Sequence, residues 1–96
     1  MELKREIDND GANGRFFHSE GEERFSVLEF LLTNTKRLVI KHTEVAADLA
    51  GKGYGKALVQ AASQWSRENG YKILPVCPYA KNIMVNNRED FADVLV

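Results

Sequence analysis

Residues 42–58 read His-Thr-Glu-Val-Ala-Ala-Asp-Leu-Ala-Gly-Lys-Gly-Tyr-Gly-Lys-Ala-Leu, and this stretch decides the fold. An extended apolar run ends at Val45, and three glycines alternating with Lys52 and Tyr54 then lead into an amphipathic helix. Glycine lets the backbone approach an anion closely, and the N–H groups of a first helical turn point at it. The stretch therefore predicts a phosphate-binding site at a helix start, with added positive charge from Lys52 and Lys56.

The glycine spacing excludes two common phosphate-binding motifs. It does not match the dinucleotide fingerprint G-x-G-x-x-G, and no G-K-[ST] ends it as a P-loop requires. It resembles instead the pyrophosphate loop of the GCN5-related N-acetyltransferase family, [RQ]-x-x-G-x-[GA], with Gly53 and Gly55 as the two motif glycines. The first motif position falls on Ala50, which removes one side-chain contact to phosphate but leaves the backbone cradle.

Four segments extend this resemblance over residues 3–95, in the order expected for the small single-domain branch of that family. They are 42–45 (His-Thr-Glu-Val), 51–53 (Gly-Lys-Gly), 75–79 (Pro-Val-Cys-Pro-Tyr) and 91–94 (Phe-Ala-Asp-Val). The resemblance implies an acetyl-CoA-dependent enzyme that acetylates an amine. The acceptor, a small molecule or a protein, is not indicated.

Composition limits the other possibilities. The 96 residues predict one domain, 1–96, with 44% apolar and 28% charged residues, as in ordinary globular proteins. The net charge of −1 with scattered lysines and arginines argues against nucleic acid. No apolar run approaches the roughly 20 residues of a membrane span, and the first residues carry no secretory h-region. A single cysteine suits a reducing cytoplasm, and a monomer or weak dimer is expected.

Hydrophobic periodicity predicts an α/β fold with a five-stranded mixed sheet. The expected strands are Leu3–Asn9, Arg15–Ser19, Phe25–Thr33, Arg37–Val45 and Tyr71–Val76. The expected helices are 53–68, Tyr79–Val85 and Glu89–Leu95. The first four strands form an antiparallel meander, and the fifth follows a crossover helix and so runs parallel to the fourth. Larger family members carry helices between their first two strands; here only residues 10–14 lie there, so we expect an open acceptor side.

The family resemblance assigns the cofactor-binding residues. Backbone groups of Thr43 to Val45 would hold the pantetheine arm and the acetyl carbonyl, with the Val45 N–H as oxyanion donor. Tyr79 and Asn82, on the second helix, would touch the leaving sulfur and the pantetheine, although Tyr79 also suits packing. The pyrophosphate would lie on residues Gly51, Lys52, Gly53, Tyr54, Gly55 and Lys56.

Three side chains are candidates for catalysis. Glu44 and His42 are two residues apart in one strand and so share a face, where either can accept a proton from the amine. Cys77 precedes a helix start, which acidifies a thiol, so it can accept the acetyl group or protonate the leaving thiolate, with His42 as partner. The structural alternatives are a solvated carboxylate, an ordinary histidine and a small buried hydrophobe.

Other residues are expected to have structural roles only. We expect His18 at the surface, Trp65 in the core, and Glu20–Glu23 as a solvated turn; the histidines and the cysteine lack metal-ligand spacing. Two functional alternatives to the enzyme stay open. One is a non-catalytic acyl-CoA-binding or sensor module, favoured by Ala50 and the missing helices, and the other is a small interaction protein without a ligand.

Overall fold

The computed structural model describes residues 1–96, and its architecture is the predicted one. Five strands form a single sheet in the order β1-β2-β3-β4-β5: Glu2–Ile7, Asn13–Glu20, Glu23–Leu32, Arg37–Val45 and Lys72–Pro75. Strands β1 to β4 are antiparallel neighbours, and β5 runs parallel to β4. The helices are α1 (Tyr54–Asn69), α2 (Pro78–Asn86) and α3 (Arg88–Phe91), with a 3-10 helix at Ala47–Leu49.

The largest departures from the predicted boundaries have local causes. Strand β2 begins at Asn13 and ends at Glu20, beyond the predicted Arg15–Ser19, because its whole length pairs with the long strand β3. The last helix ends at Phe91 and not at Leu95, since Leu95 bridges to Ile73 in parallel. The N–H of Ile73 donates to the carbonyl of Val94, so the chain after α3 covers the outer edge of β5.

One hydrophobic core lies between the helices and one face of the sheet. Helix α1 contributes Leu58, Val59 and Ala62, which are fully buried as its 3.6-residue period predicts. Trp65 is partly buried and packs against this core, with its ring 6.4 Å from that of Phe30, so the expected core role is confirmed in part. The remaining buried members are Phe16, Leu28, Phe30, Leu38, Ile40, Ile73, Cys77, Ala80, Met84, Phe91 and Val94.

A β-bulge in β4 decides which side chains reach that core. Phe30 pairs with Ile40 and Glu29 pairs with His42, so Lys41 is an extra residue without a partner in β3. The extra residue inverts the alternation of faces along the rest of the strand. Thr43 pairs with Leu28 on the helix-covered face, whereas His42 and Glu44 lie on the opposite, helix-free face.

Strands β4 and β5 separate after a short pairing. Their register covers only Arg37–Ile40 against Lys72–Pro75. The carbonyl of Ile40 then accepts the N–H groups of both Val76, at 3.1 Å, and Cys77, at 3.0 Å, and the chain turns into α2. Residues 41–45 therefore have β3 on one side and no strand on the other, which leaves a gap at the carboxyl end of β4.

No helix in the structure is long and apolar enough to cross a membrane.

The turn between β1 and β2 is closed by the carboxylate of Asp10. Its Oδ1 accepts the N–H groups of Ala12 and Asn13 at 2.9 and 3.0 Å, and its Oδ2 accepts the Asn13 side-chain amide at 2.7 Å. The hydrogen bond from the Asn13 side chain, followed by the two backbone bonds, lowers the pKa of Asp10 from 3.8 to about 2.

We expect the Asp10 carboxyl to titrate with a midpoint near pH 2 in the folded protein. Its stabilisation is fully present above the unfolded pKa, near 4, and is lost as the pH falls toward 2, because only the folded state holds the carboxylate at low pH. Carbon-detected NMR titration of the side-chain carboxyl measures this directly, with Asp10→Asn to assign the signal. A midpoint near 4 would show that the turn bonds do not favour the ionised form.

Candidate functional site

The glycine loop ends on an uncapped helix start. Gly51 and Gly53 have φ values of 77° and 87°, a left-handed conformation that a side chain would strain. Gly53 is the N-cap of α1, no side chain caps the helix, and the first backbone bond runs from the N–H of Ala57 to the Gly53 carbonyl at 3.0 Å. The N–H groups of residues 54–56 thus have no backbone acceptor and are available to an anion.

Gly55 is buried against the side chain of Tyr79. A Cβ at Gly55 would overlap the Tyr79 hydroxyl and lie 2.6 Å from the ring. The missing side chain of this motif glycine therefore lets α2 approach the first turn of α1. Tyr79 itself is 47% exposed, so its hydroxyl lies beside the glycine loop at the protein surface.

Three other predicted cofactor-binding residues, Lys52, Lys56 and Asn82, lie in the glycine loop, in α1 and in α2. Lys52 is exposed in the loop that precedes the helix start. Lys56 reaches the other way, with its Nζ 3.3 Å from Oδ1 of Asn87 at the junction of α2 and α3. Asn82 is exposed on α2, one turn after Tyr79, and so follows it along the same side of that helix.

The gap beside β4 is lined by backbone donors. The N–H of Ala46 donates to the carbonyl of Phe25 in β3 at 2.8 Å. Because successive N–H groups of a strand point to opposite edges, the N–H groups of Val45 and Thr43 point away from β3 and into the gap.

Cys77 closes the far side of the gap as the N-cap residue of α2. It is 5% exposed, and Pro78 follows it in the first position of the helix. Burial raises the pKa of the Cys77 thiol, but neighbouring backbone N–H donors, that of Ala80 first, outweigh that effect, so the pKa is lowered. A thiolate at a helix N-terminus is the reactive form of cysteine.

The structure does not bring His42 and Cys77 together, so their predicted partnership is wrong. His42 lies on the helix-free face, where its Nε2 is 3.7 Å from Oε2 of Glu44. Cys77 lies in the core on the other face, which is also the face of the buried Thr43. The bulge at Lys41 is the cause, since it reverses the direction of every side chain that follows it. The expected pairing of His42 with Glu44 on one face is present.

A groove of about 610 Å³ opens on the helix-free face beside Glu44. Arg15 and Arg24 lie along one side of it, and both are held by ion pairs to Glu6, at 3.0 and 2.8 Å. The lining residues are Arg15, Arg24, Phe25, Ser26, Val27, Glu29, Glu44, Val45, Ala46 and Ala47. The groove thus reaches the same end of β4 as the gap, from the opposite face.

His18 is buried, so its expected surface position is wrong. It is 6% exposed, its Nδ1 is 2.5 Å from the Ser26 hydroxyl, and its ring meets the Tyr54 ring edge-on at 4.9 Å. Burial lowers its pKa, which keeps the imidazole neutral. His18 is two residues from Phe16 and so shares its core face, a periodicity that identifies this position from sequence. It supports the first residue of α1, next to the glycine loop.

Comparison with known proteins identifies a family and solved structures that this chain resembles. The family model described as GCN5-related N-acetyl-transferase matches residues 15–94. The NMR structure of a GCN5-like protein from Staphylococcus aureus superposes with a TM-score of 0.74 and 27% identity, covering 99% of this chain and 87% of that one. No curated protein matches the chain.

Larger acetyltransferases share the fold at lower identity. The IAA acetyltransferase of Bacillus cereus superposes with a TM-score of 0.63 and 21% identity over 78% of this chain and 53% of its own. The ribosomal-protein-alanine N-acetyltransferase of Brucella melitensis gives 0.63 and 18% over 92% and 66%. This chain therefore spans about half to two-thirds of their length.

The contact between Gly55 and Tyr79 predicts a specific coupling. Gly55→Ala should lower the free energy of unfolding by about 1–3 kcal/mol, because the new methyl group overlaps the Tyr79 side chain. Adding Tyr79→Ala should recover most of that loss, which a double-mutant cycle by urea unfolding measures. Strictly additive effects would mean that the two residues do not compete for the same space.

Proposed function

Because the chain belongs to the GCN5-related N-acetyltransferase family, we propose that it transfers an acetyl group from acetyl-CoA to an amine acceptor. The proposal rests on one observation: three features that suit this reaction lie at the same end of the sheet. The uncapped start of α1, the donor-lined gap between β4 and β5, and the groove on the helix-free face all adjoin the carboxyl end of β4. A ligand site at this end of the strands agrees with the general rule for open sheets.

The glycine loop fits a pyrophosphate. The N–H groups of residues 54–56 lack backbone acceptors, and the left-handed Gly51 and Gly53 leave open space in front of them. Lys52 adds a mobile positive charge, whereas Lys56 is engaged with Asn87 and supports the helix start from the side. In this proposal backbone N–H groups bind the pyrophosphate, since the side chain of Ala50 offers no hydrogen bond to it.

The gap between the strands fits the pantetheine arm. In this proposal Thr43 and Val45 pair with it as a neighbouring strand would, and Asn82 adds a polar contact from α2. The N–H of Val45 is the oxyanion donor, because it points into the gap and no backbone carbonyl occupies it. When bound, acetyl-CoA supplies an activated thioester, whose acyl carbon–sulfur bond is exchanged for an acyl carbon–nitrogen bond.

The acceptor amine approaches from the groove in this proposal. Glu44 lines the groove and lies two residues before Ala46, at the same strand end as the Val45 N–H. Its carboxylate accepts the proton that the amine must lose, and His42, 3.7 Å away, can pass that proton to solvent. The groove is wide and open, which suits an amine on a large or flexible acceptor.

In this proposal Cys77 and Tyr79 act at the sulfur of acetyl-CoA, which leaves when the acetyl group is transferred. In this proposal the Tyr79 hydroxyl, which lies beside Gly55, gives a proton to that sulfur, so that free CoA thiol leaves. Cys77 offers a second route: its thiolate attacks the acetyl carbon, forms an acyl carbon–Sγ bond and expels CoA as a thiolate, which takes a proton from water. An amine later takes the acetyl group, loses a proton to water and regenerates the Cys77 thiolate. Since His42 lies on the other face, Cys77 would react without a histidine base.

A second candidate function is a non-catalytic acyl-CoA-binding or sensor module. The openness of the groove favours it, because no helix between β1 and β2 walls the acceptor site. We further propose a single domain over residues 1–96. Its one cysteine is free, which fits a reducing compartment such as the cytoplasm. A monomer or weak dimer remains our proposal for its assembly.

Gly53→Glu should abolish acetyl-CoA binding, measured by isothermal titration calorimetry. The substitution places a side chain and a negative charge at the helix start, where the pyrophosphate is proposed to lie. Gly21→Glu is a matched control, because Gly21 also has a left-handed φ, of 60°, and open space around it, but lies in the β2–β3 turn. Equal affinities of the two variants would refute the cradle.

Cys77→Ala should retain acetyl-CoA binding and lose any protein-bound acetyl group. Intact-mass spectrometry after incubation with acetyl-CoA should show a single acetyl addition on the wild type and none on the variant, if the thiol route operates. Acetylation of added amines at the wild-type rate by Cys77→Ala would leave direct transfer as the only route. Binding without acetylation of protein or amine would favour the sensor module.

A further inference from the structure

A row of paired residues crosses the sheet and ends at the proposed oxyanion donor. Leu3 pairs with His18, His18 with Ser26, and Ser26 with Val45, the last residue of β4. Residues directly opposite each other in antiparallel strands have neighbouring side chains on the same face of the sheet. The row therefore connects the imidazole of His18 in β2, through Ser26, to the end of β4.

The two polar side chains of this row are buried and bonded to each other. His18 is 6% exposed and Ser26 is 3% exposed, and Nδ1 of the imidazole lies 2.5 Å from the Ser26 hydroxyl. The pair thus satisfies itself inside the protein, as buried polar groups generally do. A hydrogen bond has a preferred direction, so this one fixes the rotation of the imidazole ring as well as its position.

A second β-bulge lies directly beside this hydrogen bond. His18 pairs with Ser26 but Ser19 pairs with Arg24, so Phe25 is an extra residue in β3. The carbonyl of Phe25 accepts the N–H of Ala46 at 2.8 Å, just after β4 ends, and Phe25 also lines the groove. The bond between His18 and Ser26 therefore lies next to the point where β4 leaves the sheet.

The imidazole also contacts the first residue of α1. The rings of His18 and Tyr54 lie edge to face, with their centroids 4.9 Å apart and their planes at 83°. Tyr54 follows the N-cap Gly53, and no side chain caps the helix by a hydrogen bond. The start of α1 is therefore held by packing, and the contact of Tyr54 with His18 is part of that packing.

We propose that His18 is a positioning residue for the acetyl-CoA site. Its hydrogen bond to Ser26 holds the imidazole on the row that ends at Val45, and its ring holds Tyr54 and with it the N–H groups of the first turn of α1. One side chain then sets the distance between the two ends of the site, where the acetyl carbonyl and the pyrophosphate are proposed to bind.

A packing role alone would not require an imidazole at this place. An apolar side chain of similar volume would fill the space without the cost of burying polar atoms. His18 also has no charged partner, since the one ion pair that contains a histidine joins His42 to Glu44. A hydrogen bond on one side of the ring and an aromatic contact on the other are what a positioning role needs.

The ligand in this inference rests on the proposed function, but the placement of the backbone does not. Val45 and the first turn of α1 are held in the free protein, without acetyl-CoA. Measurements on the free protein therefore test the positioning, and binding measurements test its consequence for the ligand.

Two substitutions of His18 separate its two contacts. His18→Asn keeps a polar atom near the place of Nδ1, for the bond to Ser26, but has no ring for Tyr54; His18→Phe keeps the ring and loses the bond. In ¹⁵N-correlated NMR spectra of the free protein, His18→Asn should mainly shift the amide signals of residues 54–56, and His18→Phe mainly that of Val45. Calorimetry should show acetyl-CoA affinity lowered by roughly three- to tenfold in each variant, as for one hydrogen bond or one aromatic pair.

Ser63→Ala is the matched control for a general loss of stability. It removes a buried hydroxyl that donates to the carbonyl of Val59 at 2.8 Å, in the middle of α1. We expect it to lower the free energy of unfolding but to leave the acetyl-CoA affinity unchanged. Ser26→Ala should reproduce the effect of His18→Phe and add little to it in the double variant, because both remove the same bond.

The wild type supplies a measurement that does not depend on folded variants. When acetyl-CoA is added, the imidazole ¹⁵N signals of His18 should shift with the same midpoint as the amides of Val45 and residues 54–56. Imidazole signals that stay in place while those amides shift would overturn the proposal, as would an equal loss of affinity in Ser63→Ala. If the wild type binds no acetyl-CoA, the proposed function fails, and unchanged amide signals in free His18→Asn and His18→Phe would then refute the positioning separately.

Discussion

The extra residue in β4 is the constraint on which the site depends. Because Lys41 has no partner in β3, the strand changes faces in its second half. The bulge lies directly after Ile40, whose carbonyl takes the N–H groups of Val76 and Cys77 and so ends the pairing with β5. One short segment therefore sets two things: which side chains of β4 face the helices, and where the gap beside the strand begins.

As a result, different candidate site residues lie on the two faces of the sheet. On the helix-covered side, Cys77 closes the gap at the start of α2, and the glycine loop is supported from below by His18 through Tyr54 and from the side by Tyr79 against Gly55. On the helix-free side, Glu44 opens onto a groove. An acetyl donor held in the gap and an amine acceptor in the groove would both reach the end of β4, where the two reacting atoms could come close together.

Much of this architecture was predictable from the sequence. Strand β4 was predicted with its observed boundaries, Arg37–Val45, and the apolar stripe of α1 identified the helix that covers the sheet. The family that the sequence resembles is also the one whose model matches residues 15–94. The pattern Leu38-x-Ile40-x-His42-x-Glu44 shows why the rest was not predictable. Read with a period of two, it puts His42 on the core side with Ile40, and only the pairing with β3 reveals the bulge that moves it away. The contact of Tyr79 with Gly55 likewise depends on how α2 meets α1, which no local pattern contains.

The most direct test of the account is a ¹⁵N-correlated NMR titration of the labelled protein with acetyl-CoA. We expect backbone signals of residues 43–57 and 76–83 to shift together and to saturate at one equivalent, as they would if the glycine loop, the end of β4 and the start of α2 bind one ligand. Signals of β1 and of the turn that joins it to β2 should stay in place, since β1 is the edge strand farthest from β5. Shifts centred on that hairpin, or no shifts in the folded protein at saturating ligand, would contradict the central claim.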